Sequence, residues 1–336
     1  MAQWNIQSVV QGLQHARHQW RESQHRTKEI GGREFPSKQV LQSILDDLCG
    51  ILFPMRLGPS ELSQETENYY IAYSLDRTLN ALLAQVKLAL NDQFKHPQLT
   101  HSAAPQLATH QTINPTIDPQ DLAKHAEQIV HVFAHALPDI RRLIDADVCA
   151  AFQGDPSAHS VDEILLCYPG VLAMIYHRLA HQLYPAVPLI ARIISEAAHS
   201  VTGIDIHPGA QIGKGIFIDH GTGVVIGETC IIGERVRIYQ AVTLGAKRFE
   251  LTASGELKKN YPRHPIIEDD VIIYAGATLL GRITIGQGAV IGGNVWLTHS
   301  VAAKSHILQS PSETLQKNQA HEAFSVPPSL IVASKF

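Results

Sequence analysis

From Asp205 to Leu297 an aliphatic residue returns at every sixth position. Ile206, Ile212 and Ile218 form one train, Ile226, Ile232, Ile238 and Leu244 a second, and Ile267, Ile273, Leu279, Ile285, Ile291 and Leu297 a third. Period six fits neither the alternation of a strand nor the 3.6-residue turn of a helix, so the repeating unit is larger than either. It is the hexapeptide signature of a parallel β-helix, in which three short strands make one triangular coil. Each coil turns one aliphatic residue per side inward, and stacking joins these residues into a core. Gly213, Gly227, Gly233, Gly276, Gly286 and Gly292 follow inward positions and are expected to supply corner conformations that other residues resist. The phase breaks twice. Between Ile218 and Ile226 the step is eight, so two extra residues enter around Asp219 and His220. Between Leu244 and Ile267 the period vanishes, which predicts a loop thrown out of the coil.

The 336 residues allow more than one domain, and the rest of the chain reads as helix. Residues 1–95 carry helical stripes at Val40, Leu41, Ile44, Leu45 and Leu48, and again at Leu75, Leu79, Leu82 and Val86. Residues 96–120 are polar, Pro-containing and aperiodic, and read as a linker. A second helical block spans 121–203, with a break expected at Pro138, a capping box at Ser160 and Glu163, and Gly203 closing the last helix. The β-helix is expected over 204–302, packed at its first end against this block. Residues 303–336 form a polar tail with a short helix near Glu313–Phe324. The fold class is therefore α+β, an all-helical N-terminal region followed by a parallel β-helix.

A net charge of −4 without a basic run argues against nucleic acid as a partner. No stretch is long and apolar enough for a signal peptide or a membrane span. Cys49, Cys149, Cys167 and Cys230 are scattered without a Cys-x-x-Cys pair, which fits reduced thiols in a cytoplasm.

Three polar clusters fall at coil edges or in the loop: Asp205-Ile206-His207-Pro208, Asp219-His220-Gly221-Thr222-Gly223 and Tyr261-Pro262-Arg263-His264-Pro265. Asp205 and His220 are fifteen residues apart, just short of one coil, and stacked strands lie about 4.8 Å apart. Asp205 is thus expected to orient the His220 imidazole. A carboxylate-held imidazole titrates near neutral pH and makes a general base for an alcohol or amine attacking an acyl donor. No Ser or Cys stands beside His220 as a covalent nucleophile, which favours direct transfer. Arg263 offers a planar fork for a carboxylate and an Asp suits an ammonium, so the two near one base point to an amino acid. Lys247, Arg248, Lys258 and Lys259 flank the loop, where they would meet solvent or phosphates.

The run DIHPGAQIGKGIFIDHGTGVVIGET, the later VTLG and the YPRHP loop resemble serine O-acetyltransferase, which transfers acetyl from acetyl-CoA to L-serine on the way to cysteine. The resemblance covers about residues 120–300, including GDPSAHS at Gly154–Ser160. It implies a left-handed β-helix, His220 as catalytic base and Asp205 as its partner. It further implies Asp155 and Asp219 lining the serine pocket, with Arg263 and His264 contacting serine. Acetyl-CoA, a co-substrate rather than a bound cofactor, would lie along the coil near Gly245, Ala275 and Gly293, between subunits of a trimer. The implied assembly is a homotrimer or a dimer of trimers, and L-cysteine is the implied feedback inhibitor. No metal is required. The chain lacks the Gly-Val-Pro-Ala-Arg run after the coil and ends in Phe336 rather than Ile. A cysteine synthase partnership is therefore not carried over.

Competing readings are an acetyltransferase for another acceptor, a metal-dependent β-helix hydratase and a non-catalytic scaffold. The first gives no reason for Arg263 beside acids. The second needs a His-x-x-x-x-His pair, which is absent between Asp205 and Val301, and intact DHGTG and RHP clusters argue against the third.

Overall fold

The structure, a computed structural model, describes residues 4–23, 35–95 and 118–309. Of the expected linker over 96–120, residues 96–117 lie outside the described residues, as does the tail helix near Glu313–Phe324, while Pro119 and Gln120 already belong to a helix. Eight helices are described: α1 (Ile6–Ser23), α2 (Lys38–Leu52), α3 (Pro54–Leu57), α4 (Glu67–Lys95), α5 (Pro119–Gly154), α6 (Val161–Cys167), α7 (Pro169–Leu183) and α8 (Pro188–Thr202). Their ends follow from side chains that satisfy orphaned backbone groups. Asp118 accepts from the Gln120 N–H at the start of α5, and Ser160 accepts from the Glu163 N–H at the start of α6. The Glu163 carboxylate returns to the His159 N–H, one residue earlier than a capping box places it. Gly203 adopts the left-handed conformation, φ 70°, and closes α8.

The expected break at Pro138 does not occur, because α5 runs through it. A proline inside a helix forfeits one hydrogen bond, but the apolar stripe continues on both sides through the buried Phe133, Leu137, Ile140 and Ile144. Burying side chains of this size is worth about 1.5–3 kcal/mol each, enough to outweigh the loss.

Residues 205–307 form the coil. Its strands are β1 (Asp205–Ile206), β2 (Gln211–Ile212), β3 (Phe217–Ile218), β4 (Val225–Ile226), β5 (Ile231–Ile232), β6 (Arg237–Ile238), β7 (Thr243–Gly245), β8 (Ile266–Ile267), β9 (Ile272–Ile273), β10 (Thr278–Leu280), β11 (Thr284–Ile285), β12 (Val290–Ile291), β13 (Trp296–Leu297) and β14 (His306–Ile307). They stack in three parallel sheets: β1-β4-β7-β10-β13 on the first face, β2-β5-β8-β11 on the second and β3-β6-β9-β12-β14 on the third. Ile206 pairs with Ile226 twenty residues on, whereas Ile226 pairs with Leu244 eighteen on. The two additional residues enter between Ile218 and Ile226, where His220, Gly221 and Gly223 all have positive φ. The last coil is two residues short, since Ile291 pairs with Ile307 sixteen on. That short step hides the period after Leu297, and the coil reaches Ile307 rather than ending at 302.

The glycines after inward positions serve a different purpose from the one expected. Of the six, only Gly276 has positive φ. At Gly227 the constraint is space, because a Cβ there would stand 2.0 Å from Cδ2 of His264.

The helical block caps the first end of the coil. Arg178 of α7 and Asp147 of α5 form a buried bidentate ion pair, with Nε–Oδ2 at 2.7 Å and Nη2–Oδ1 at 2.9 Å. Asp147 also accepts from the Gly215 and Ile216 N–H groups, and Arg178 donates to the Ile212 and Gly213 carbonyls. At Gly170 in α7 a Cβ would come within 2.1 Å of the Ile218 carbonyl oxygen, so the helix presses directly on β3.

Candidate active site

The candidate residues gather at two corners on opposite edges of the first face. One corner joins the third face to the first and carries Asp219 and His220. The His220 backbone is left-handed, φ 59°, and its side chain is 70% exposed, with Nδ1 3.7 Å from the Asp219 carboxylate. Asp219 itself is buried and paired with Arg237 at 2.7 Å. The second hand of the Arg237 guanidinium donates to the Gly154 carbonyl at 2.7 Å, at the end of α5. The next residue, Asp155, accepts from the Tyr168 hydroxyl at 2.6 Å and from the Ser157 N–H at 2.8 Å. The Tyr168 hydrogen bond, followed by the Ser157 N–H, holds the Asp155 carboxyl below its usual range, and the same bond pushes Tyr168 up to about 12. Asp155 is therefore an anionic acceptor at neutral pH, and Tyr168 keeps its proton.

The other corner joins the first face to the second and receives the loop over 246–265. Arg263 is ion-paired with Glu228, Nη2–Oε2 2.5 Å, and Glu228 accepts from the Tyr184 hydroxyl at 3.0 Å. Burial works against the Glu228 carboxylate, but the Arg263 and Tyr184 hydrogen bonds hold its pKa below the usual range. His264 is buried against Gly227, and its Nδ1 accepts from the Thr229 N–H at 3.1 Å. The neutral ring then carries its hydrogen on Nε2. The Thr229 hydroxyl oxygen accepts from the Arg263 and His264 N–H groups, which fixes the start of β8. A cleft of about 370 Å³ beside this corner is lined by Lys247, Arg248, Tyr261, Arg263, Leu280 and Arg282.

Thus Asp155, Asp219 and His220 come together, and Arg263 with His264 come together, but one chain does not join the two sets. The reason is topological: they flank the first face from its two ends. Asp205 begins β1, and its carboxylate gathers with Glu196 and His199, whose ligand atoms all lie within 4.8 Å of one another. Among the described residues no hydrogen bond links Asp205 to His220. This trio is the one group among them with metal-ligand spacing, and Glu196 is already held by Arg192 at 2.6 Å. Gly245 ends β7, while Ala275 and Gly293 stack on successive coils above the His220 corner, where a Cβ on Gly293 would lie 3.2 Å from the Ala275 oxygen. Sequence reasoning missed Arg237, Glu228, Tyr184 and Tyr168. Spacing concealed Arg237, because the widened coil puts it in register with Phe217, twenty residues before it, rather than with Asp219.

His207, packed edge-on against Tyr184, is pushed down to about 4 by burial and then by Arg192; burial and Arg263 likewise hold His264 at about 4. An unfolded histidine titrates near 6.5, so between about pH 6.5 and 4 the unfolded chain binds more protons than the folded one. Stability is expected to be full above that window and to fall as pH drops through it. Thermal unfolding from pH 7.5 to 4.5 checks this: the midpoint should fall, and less steeply in His207→Asn, which keeps an acceptor for the Gly209 N–H.

Residues 264–299 match the family described as bacterial transferase hexapeptide (six repeats). Over 308 residues, 91% of each chain, the protein is 52% identical to a plasmid-borne serine acetyltransferase of Synechococcus elongatus. The chain belongs to the serine acetyltransferase family. A Bacillus licheniformis serine acetyltransferase is 46% identical over 53% of this chain and 78% of its own. Among solved structures, serine acetyltransferase isoform 3 of Entamoeba histolytica, in complex with cysteine, superposes with a TM-score of 0.63 at 31% identity, covering 91% of this chain and 95% of its own. Serine acetyltransferase 1 of the same organism, in complex with L-cysteine, gives the same TM-score at 35% identity over 86% and 95%. As a member of this family the protein is an acyltransferase with acetyl-CoA as its co-substrate. Among the described residues no helix is long and apolar enough to cross a membrane, and all four cysteines are free.

Proposed function

We propose that this serine acetyltransferase makes O-acetylserine by direct transfer, with His220 as general base. The observation that carries this reading is the exposed imidazole at the widened corner beside the anionic Asp155 and the Arg237-paired Asp219. His220 takes the hydroxyl proton as serine Oγ attacks the thioester carbonyl carbon. The carbon–sulfur bond then breaks, and the imidazolium returns the proton to the departing CoA thiolate. Asp205 stabilises the imidazolium once its carboxylate turns from Glu196 and His199 towards the corner. Asp155 and Asp219 hold the ammonium, while Arg263 and His264 hold the carboxylate. Because these sets flank one face from opposite edges, the reading pairs the His220 corner of one protomer with the Arg263 corner of its neighbour. A homotrimer, alone or as a dimer of trimers, provides that arrangement. The helical region 121–203 contributes Asp155, the coil takes the family's left-handed course, and acetyl-CoA runs past Gly245, Ala275 and Gly293. L-Cysteine shares the ammonium and carboxylate of serine and fits as feedback inhibitor, in keeping with the cysteine-bound relatives. The enzyme's setting is a reducing cytoplasm.

The test is release of CoA thiol from acetyl-CoA with and without L-serine, repeated with L-cysteine. Serine-dependent release suppressed by cysteine is expected; release with another acceptor alone overturns the substrate. Arg263→Ala is expected to raise the serine KM about 10–100-fold, the loss of a charge-assisted carboxylate contact. An unchanged serine KM would remove Arg263 from the pocket.

A further inference from the structure

The Arg237 side chain at the His220 corner touches both elements carrying the acids. Nη2 holds Asp219 and Nη1 holds the Gly154 carbonyl, one residue before Asp155. Its guanidinium carbon lies 4.8 Å from the Phe217 ring centre and 4.7 Å from that of Tyr239, which stacks in turn on Tyr274. A cation held over two ring faces is fixed in plane as well as position. The approach is tight, since a Cβ on Gly154 would stand 2.8 Å from the Phe217 ring. Among the described residues Arg237 Nε and Gln240 Oε1 are both buried without a hydrogen-bond partner, so this wall carries polar capacity beyond the ion pair.

Resting on the assignment of Asp155 and Asp219 to the substrate ammonium, we propose that Arg237 is a positioning residue for the amino-acid pocket. It ties the end of α5 to the coil corner and thereby sets the separation of the two carboxylates that receive the ammonium. Without it Asp219 loses its partner and the turn carrying Asp155 loses its anchor to the coil. The ammonium is held equally before and during acetyl transfer, so the loss falls on KM rather than kcat. Serine and cysteine present the same ammonium, whereas acetyl-CoA does not meet these acids, so the effect separates the two substrates.

The experiment compares the full-length wild type with Arg237→Met, which keeps an apolar stem between the rings, and Arg237→Lys, which keeps the charge but reaches only one acceptor. In Arg237→Met the serine KM and the cysteine Ki are expected to rise together, about 10–100-fold for a lost charge-assisted contact. The acetyl-CoA KM and kcat should change less than about threefold, and Arg237→Lys should recover part of the loss. A folded Arg237→Met with unchanged serine KM overturns the proposal. An equal rise in both substrates' KM, with a lowered thermal midpoint and no recovery in Arg237→Lys, overturns it too, leaving Arg237 a structural staple. If the wild type shows no serine-dependent release, the function itself is wrong and the proposal falls with it; an active wild type with an unaffected variant sinks the proposal alone.

Discussion

Replacing His220 with alanine is expected to lower kcat about 10²–10⁴-fold while leaving the serine KM within a few-fold of wild type, the range for losing a positioned general base. The neighbouring groups offer no substitute. Tyr168, pushed up to about 12, keeps its proton, and the Asp219 carboxylate is occupied by Arg237. Since the His220 side chain is largely exposed, its removal should not unfold the corner. The left-handed backbone makes His220→Asn a useful second variant, because asparagine tolerates that conformation better than alanine. Steady-state kinetics with both variants and an unchanged thermal midpoint would isolate the chemical role. Retained turnover in both would transfer the base to another residue.

The largest effect on stability is expected at Asp147. Asp147→Ala should destabilise the protein by about 3–5 kcal/mol, because it strands the buried Arg178 charge and leaves the Gly215 and Ile216 N–H groups without their acceptor. Burial pushes the Asp147 carboxyl up, and Arg178 with the two N–H donors opposes that shift. The Arg235–Asp270 pair, at a similar Nε–Oδ1 distance of 2.6 Å, makes the contrast. It is exposed on the coil surface, where water screens the pair and leaves it little net effect on stability. Chemical denaturation of Asp147→Ala and Asp270→Asn should therefore give a large and a small change respectively. Equal changes would mean that burial does not decide the strength of the cap.

How much of the site was legible depended on whether a residue's neighbour lay along the chain or across it. Asp219 and His220 announced themselves because the two extra residues that broke the period are the ones that widen the corner. Arg263 and His264 stood out because the period disappeared around them, but their place on the opposite edge followed only from the order of the three faces. Glu228 sat within a quoted motif without a role, since its partners Tyr184 and Arg263 are forty-four residues before it and thirty-five after. By the repeat alone Arg237 is an outward strand residue, and only the tertiary fold brings the Gly154 carbonyl, eighty-three residues before it, to its guanidinium.

The sequence by itself determined the β-helix, its inward columns, the ejected loop and the family's motifs, because a coil that contacts only its neighbours must repeat its pattern locally. It also marked the helix ends at Ser160 and Gly203, where one residue's chemistry decides the backbone. Only the tertiary structure decided that α5 continues through Pro138, that Gly227 makes room for a ring rather than a turn, that Asp205 faces Glu196 and His199, and that Arg237 joins the two acids. Apart from Asp205, whose neighbours lie nine and six residues before it in α8, these depend on contacts between segments far apart in the chain, and the free energy that settles them comes from packing and burial, to which local patterns are blind.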